Sequence, residues 1–321
     1  MSEAIMPVLL DSDSADGTSF LADLSPGKYA YFGLNVAATV AAAEALVLTE
    51  MGRLRISEQG RDLVNIDVDT MASINQREGG NGFFTSTAGA AGGAIILIPR
   101  KYGKDNNAHL VTEQDLLQLS MQHQAAYDTA IDGGTIEVYG LLSETGEHFY
   151  NLKILQHSEA VAASAVETMR ITEENVLGIY FSRTNPATDA LRIRVMRDGQ
   201  EVANGALQAL SGFSDLLGQT DSLSSAAAAG DGTSATHHSQ TAIMFANEGE
   251  IGEFLSDDIK VEITEDSTGA TEEITVLAAD FSPAKLRQSK VETASIVERK
   301  IARKNKLNRS RPIQSLRIAA E

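Results

Sequence analysis

The apolar positions fall mostly in short runs that alternate with polar ones, the period of two that puts every second side chain on one face of a β-strand. Residues 28–37 and 45–56 read this way, and residues 94–99 and 241–246 read as continuous apolar strands. Two further pairs of runs, over residues 136–155 and 259–278, enclose Thr145-Gly146 and Thr268-Gly269 and predict two β-hairpins. In three places the period lengthens. Leu63, Ile66, Met71 and Ile74 recur at roughly helical spacing over residues 61–77, as do Leu207, Leu210, Phe213, Leu216 and Leu217 over 206–218. Thr112, followed three residues later by Asp115, opens a Leu-rich stretch over 109–121 in the manner of a capped helix. The pattern predicts an all-β chain with short inserted helices.

That pattern occurs twice. Residues 33–48, GLNVAATVAAAEALVL, return as residues 178–193, GIYFSRTNPATDALRI, at an offset of 145 without a gap. Five of the sixteen positions are identical, Gly33/Gly178, Thr39/Thr184, Ala42/Ala187, Ala45/Ala190 and Leu46/Leu191, where average composition gives about one by chance. The two hairpin segments align with each other at an offset of 123, so the second copy is expected to be shorter by 22 residues. Strand, turn, strand and helix follow one another in both halves. The boundaries expected are an acidic arm over 1–27, a first domain over 28–160, a second over 161–284, with the junction in AVAASA at 160–165, and a tail over 285–321. Each domain is long enough to bury its own core.

Composition removes several classes of chemistry. The 321 residues include no Cys and no Trp, so there is no disulfide framework, no thiolate metal site and little surface for stacking sugars or bases. The six histidines, His109, His123, His148, His157, His237 and His238, fall in no metal-binding frame, and the adjacent pair His237-His238 would point to opposite faces of a strand. Asp11 to Gly17 partly matches a calcium loop, but Ala15, Asp16 and Ala22 stand where a ligand, a Gly and the bidentate Glu belong. Small-residue stretches at 86–93 and 222–239 precede strands instead of opening helices, so they read as surface loops and not as phosphate cradles. There is no nucleophile elbow, and acidic pairs such as Asp257-Asp258 are expected on solvated faces. No catalytic, cofactor-binding or metal-ligating residue is expected, and the chain reads as a non-enzyme. The N-terminal sequence lacks a signal-peptide plan, which predicts a soluble, unprocessed protein.

Charge divides the chain. The net charge is −18, yet residues 285–321 hold 11 of the 26 basic and 3 of the 44 acidic residues, a net of +8 against −26 for the rest. An acidic body disfavours binding to nucleic acid through its own faces, while a basic tail attracts phosphate or anionic lipid. Val291, Ala294, Val297 and Ile301 recur at helical spacing; Lys300, Arg303 and Lys304 crowd the end, where the helix dipole favours cations, and with Arg299, Lys306, Arg309 and Arg311 they form a basic strip. These seven cations are the candidate site: a strip facing a membrane or genome, or clamping a neighbouring subunit.

Leu48-Thr-Glu-Met-Gly-Arg-Leu54 ahead of Asp62-Leu63, Val195-Met-Arg-Asp-Gly199 ahead of a Leu-rich stretch, and Ile96-Leu-Ile-Pro-Arg100 followed by Val111-Thr-Glu-Gln-Asp-Leu116 and the strand at 135–139 carry a resemblance. Over roughly residues 24–282 the chain resembles the double jelly-roll major capsid proteins of tailless icosahedral, membrane-containing bacteriophages of the corticovirus and finnlakevirus type. The resemblance implies two tandem eight-stranded antiparallel jelly rolls and a structural role. It further implies a homotrimer forming a pseudo-hexameric capsomer, contacts with neighbouring capsomers and with vertex and minor membrane-associated proteins, an internal lipid membrane, no cofactor and no sequence-specific nucleic acid. Its implied location is the virion, assembled in the host cytoplasm. The acidic arm and basic tail depart from the family pattern. Two other readings stay open: a secreted or surface carbohydrate-active β-sandwich enzyme, and a nucleic-acid-binding protein acting through its tail.

Overall fold

In the computed structural model the described residues are 5–14, 19–37, 51–77, 83–85, 93–102, 107–122, 134–144, 146–183, 192–206, 209–210, 239–245, 258–265 and 269–281. Ten strands precede residue 150: β1 (Ile5–Ser14), β2 (Ser19–Asp23), β3 (Gly27–Ala37), β4 (Arg53–Glu58), β5 (Arg61–Asp67), β6 (Phe83–Thr85), β7 (Gly93–Pro99), β8 (His109–Val111), β9 (Leu117–Gln122) and β10 (Thr135–Ser143). Eight follow: β11 (Asn151–Val161), β12 (Val166–Ile171), β13 (Val176–Arg183), β14 (Arg192–Arg197), β15 (Gln200–Gly205), β16 (Ser239–Met244), β17 (Ile259–Thr264) and β18 (Ala270–Asp280). The helix α1 (Val68–Arg77) continues directly from β5.

The strand order reveals the duplication. One sheet runs β1-β10-β3-β7-β6, with β8 also on β3, and a second sheet contains the order β2-β9-β4-β5. The same two orders return as β11-β18-β13-β16 and β12-β17-β14-β15. Strand for strand, β1, β2, β3, β4, β5, β7, β9 and β10 of the first set stand where β11 to β18 stand in the second. Each set of eight is a jelly roll, two four-stranded antiparallel sheets packed face to face. The β16-β13-β18-β11 sheet of the second roll continues into the β5-β4-β9-β2 sheet of the first, so one eight-stranded sheet serves both. Its joint is parallel: Ile154 pairs Val64 and Leu155 pairs Asn65.

Alternation accounts for both cores. In β17, Ile259, Val261 and Ile263 point inward against Ile193 and Val195 of β14 and Ile274 and Val276 of β18, all at most 1% exposed. Leu34 and Val36 of β3, Leu54 and Ile56 of β4, and Ile136 and Val138 of β10 line the first core and are wholly buried. Each such side chain contributes about 1.5–3 kcal/mol of burial free energy. The β4–β5 and β14–β15 hairpins turn on Gln59-Gly60 and Asp198-Gly199, each pair with positive φ at both residues, 51° and 79° in the first and 50° and 76° in the second. That is the two-residue turn whose twist suits flanking strands, and it needs Gly at its second position.

Several expectations change. The segments over 136–155 and 259–278 are not hairpins: β10 pairs β1 and β3 while β11 pairs β18, and β17 pairs β12 and β14 while β18 pairs β11 and β13. The strands on either side of each Thr-Gly lie in different sheets, β10 apart from β11 and β17 apart from β18. The offset of 123 therefore matched strands that are not equivalent, because β10 corresponds to β18 and not to β17. The offset of 145 does hold where Gly33 of β3 and Gly178 of β13 lie. Residues 61–77 are strand as far as Asp67 and helix only from Val68. Over 109–121 there are two strands, since the Asp115 carboxylate accepts bonds from both the amide (2.8 Å) and the hydroxyl (2.7 Å) of Thr112 and closes a tight turn, not a helix cap. Within residues 1–27, expected to be a solvated arm, β1 and β2 are outer strands of the two first-roll sheets. Residues 151–161 form β11 of the second roll, so that roll begins before the expected 161. Of the helix expected at 206–218 only 206, 209 and 210 are described, and the tail expected over 285–321, with its helical spacing, lies outside the described residues.

Candidate functional site: the seam between the rolls and the open edges

At the parallel joint of β5 and β11 a compact polar set stitches one roll to the other. The Arg53 guanidinium of β4 donates from Nε to the Asn65 side chain of β5 (2.8 Å), and then reaches over β5 to donate to the Gln156 side chain (3.0 Å) and main-chain carbonyl (3.3 Å) of β11. Gln156 also accepts from the Asp67 amide (2.7 Å) and donates to the Asp67 carboxylate (3.0 Å), which pairs with Arg53 at 3.1 Å. Because Arg53 and Asp67 are about a third exposed, at 33% and 30%, the charge pair adds little by itself and the hydrogen bonds to Gln156 fix the register.

A second, fully buried set lies where β11 starts. Arg100, just past β7, is 0% exposed and donates to the Leu152 carbonyl. Asn107 donates to the Arg100 (2.7 Å) and Tyr150 (3.1 Å) carbonyls and accepts from the Phe149 (2.9 Å) and Tyr150 (3.2 Å) amides. Glu58, at the end of β4, accepts from the Asn151 side chain (2.9 Å) and faces His109 at 3.6 Å. Burial pulls the Arg100 guanidinium down to about 10, against the attraction of Glu58, so it remains a cation at neutral pH. Burial likewise pulls the His109 imidazole down to about 4, and the nearby Arg100 charge adds to that shift, while the facing Glu58 opposes it. A neutral His109, a Glu58 carboxylate and a charged Arg100 thus pin β4, β7, β8 and β11 together. The sequence marks none of His109, Glu58, Arg100 and Gln156 as site residues, since nothing in local spacing announces side-chain partners 51 to 103 residues away.

The outer sheet edges are different. β1 borders its sheet with β10 as its one partner among the described residues, and Met6, Val8 and Leu9 are 48%, 41% and 51% exposed. Among the described residues β15 is the edge of the β12-β17-β14-β15 sheet, with Val202 at 45%. Exposed apolar side chains on unpaired strand edges are what isolated proteins avoid and assemblies use. A groove of about 660 Å³ on the first roll is lined by Ser19, Arg55, Asp62, Asn65, Ser120 and Gln122 among others, and there Arg55 and Asn65 both donate to the Asp62 carboxylate. Among the described residues no group of three or more His, Asp or Glu is placed to hold a metal ion, and no helix is long and apolar enough to cross a membrane. Arg299, Lys300, Arg303, Lys304, Lys306, Arg309 and Arg311 lie outside the described residues.

The fold matches solved viral shell proteins. The major capsid protein P2 of bacteriophage PM2 superposes with a TM-score of 0.59 at 12% identity, covering 86% of this chain and 97% of that one. The chain is a double jelly roll. A structure from Sulfolobus turreted icosahedral virus gives a TM-score of 0.61 at 10% identity over 93% of this chain and 97% of its own. The PBCV-1 virus capsid gives 0.54 at 10% identity over 87% and 94%. No family model matches the sequence, and no curated protein matches it. The likeness is carried by strand order and not by residue identity, as a fold held by alternating burial allows.

Proposed function

We propose that this chain is the major capsid protein of an icosahedral, membrane-containing bacteriophage, acting as a homotrimer whose six rolls form a pseudo-hexameric capsomer. The observation that carries the reading is the tandem of two equivalent rolls joined through one continuous sheet, in a fold shared with capsid proteins over nearly their whole length. Three copies of a chain with two like rolls present six nearly equal units around one axis while keeping two distinguishable surfaces per subunit. The role asks for rigidity, and the seam at Arg53, Gln156 and Asp67 together with the buried Glu58, His109 and Arg100 supports it. In the virion, having been assembled in the host cytoplasm, the capsomer contacts neighbouring capsomers and vertex and minor membrane-associated proteins. The basic residues from Arg299 to Arg311 face inward to an anionic lipid surface, where each cation contributes about 1 kcal/mol. Electron microscopy of the purified full chain tests the reading: class averages of three-fold tiles with six lobes are expected, and single two-lobed particles at every concentration would overturn it.

A further inference from the structure

The β4–β5 hairpin of the first roll and the β14–β15 hairpin of the second are the same device at an offset of 139. Arg53, Arg55, Asp62, Gly60 and Asn65 recur as Arg192, Arg194, Glu201, Gly199 and Asn204. The side chains repeat as well as the letters. Arg53 Nε donates to Asn65 at 2.8 Å and Arg192 Nε to Asn204 at 2.7 Å, while Arg55 pairs with Asp62 and Arg194 with Glu201. In the first roll this device has a receiver, because Arg53 goes on to Gln156 of β11 and β5 pairs β11 in parallel. In the second roll β15 of the hairpin is, among the described residues, an edge strand, and Arg192 of β14 is exposed.

The receiver is duplicated too. β1 occupies in the first roll the place of β11 in the second. Register identifies the equivalent positions. Leu9 pairs Tyr139, which pairs Gly33, and Ile154 pairs Leu277, which pairs Gly178, so Leu9 stands where Ile154 stands. By the same route Asp11 corresponds to Leu155 and Ser12 to Gln156. Ile154 is wholly buried beneath the joint, whereas Leu9 is 51% exposed, the difference expected when one of two like positions lacks its neighbouring strand. Charge agrees. The seam's acid, Asp67, becomes Ala206 in the second hairpin, and the acids appear instead on the receiving strand, as Asp11 and Asp13 on either side of Ser12.

We propose that β15 of one copy pairs in parallel with β1 of a second copy, repeating between chains the β5–β11 seam made within each chain. This rests on the homotrimer reading and names its interface. Leu9 pairs with Ala203 of the neighbour and Asp11 with Asn204, and Arg192 of the neighbour reaches Ser12 between its two aspartates. Such strand addition is head-to-tail, so every copy both gives an edge and receives one, and the contact continues around a closed ring.

Cysteine cross-linking tests the register, and the chain's lack of native Cys makes it clean. Parallel neighbours lie about 4.8 Å apart, inside the 4.4–6.8 Å range that a disulfide spans, roughly. The full chain carrying both Leu9→Cys and Ala203→Cys is oxidised and read by non-reducing electrophoresis beside its native mass. Covalent dimers and trimers in the double variant, with neither single variant cross-linking, are expected. A native trimer without cross-links overturns the edge pairing and leaves the trimer standing; a monomer throughout overturns both. A surface variant guards against misfolding of the double-cysteine chain. Arg192→Glu should raise the concentration of half-dissociation about tenfold or more, and Asp11→Lys added to it should restore assembly. No change with Arg192→Glu, or loss that Asp11→Lys fails to reverse, contradicts the pairing; trimers stable only with residues 286–321 present would show that the tail, and not β15, occupies the edge.

Discussion

Acid should loosen the point where β4, β7, β8 and β11 meet, and His109 sets the size of the effect. In the folded chain this imidazole is held neutral down to about pH 4, whereas an unfolded chain protonates it from about 6.5. Below pH 6.5 the unfolded state therefore binds a proton that the folded state refuses. Stability is full above 6.5, falls as pH drops, and stops falling from this source near 4. Linkage over this window amounts to about 2 kcal/mol by pH 5 and on the order of 3 kcal/mol by pH 4. Urea unfolding of the full chain and of His109→Gln, at pH 7.5, 6, 5 and 4, isolates the contribution, because carboxylates titrating in the same range are common to both chains. The variant keeps a donor towards Glu58 and should lose some stability at pH 7.5, but its deficit should shrink steadily as pH falls. A deficit that is constant from pH 7.5 to 4 would refute the argument, since it would mean that His109 takes its proton as readily folded as unfolded.

Other substitutions follow from the same geometry. Arg100→Met removes the buried donor to the Leu152 carbonyl and a charge that attracts Glu58, and should cost about 1–3 kcal/mol, part of which a second change, Glu58→Gln, should recover in the same unfolding assay. Gln156→Leu removes the bonds to Arg53 and Asp67 while leaving the Asp67 amide without its acceptor, a loss of about 1–3 kcal/mol in thermal or urea unfolding. Gly140→Ala drives a methyl into the ring of Tyr29 of β3 and should destabilise the first roll by about 1–3 kcal/mol, whereas Gly60, with open space around it, resists substitution through its φ of 79° alone. Deleting residues 286–321 should leave the rolls folded by circular dichroism and abolish salt-sensitive binding to vesicles containing anionic lipid; binding with unchanged salt dependence would remove the tail from the membrane-facing surface.

The strands at 28–37, 94–99 and 241–246 were readable because alternation or continuous apolarity fixes a strand whatever it pairs with. What they pair with was not. Thr145-Gly146 and Thr268-Gly269 look like hairpin turns, yet the strands on either side of each lie in different sheets, and a residue pattern carries no mark of whether the next strand lies beside or opposite. Residues 61–77 misled because Leu63 and Ile66, inward-facing in or beside a strand, happen to join Met71 and Ile74 at helical spacing. The duplication was visible at Gly33 and Gly178, where both copies need a small residue: a side chain at Gly33 would press on Leu141, and one at Gly178 would collide with Met244. The seam had a signal that went unused. RLRISEQGRDLVN and RIRVMRDGQEVAN repeat at 139 and not at 145, because the segment between β3 and β4 is longer than that between β13 and β14. The cluster of Glu58, Arg100 and His109 had none, since its members meet only after the sheets close.

The central claim, a shell protein built from three copies of a double jelly roll, is met most directly by light scattering on the full chain eluting from a sizing column. With a subunit of 34.2 kDa, a mass of about 103 kDa that persists on dilution to micromolar concentration is predicted. A mass near 34 kDa at every concentration, or a stable species that is not a multiple of three chains, would contradict it.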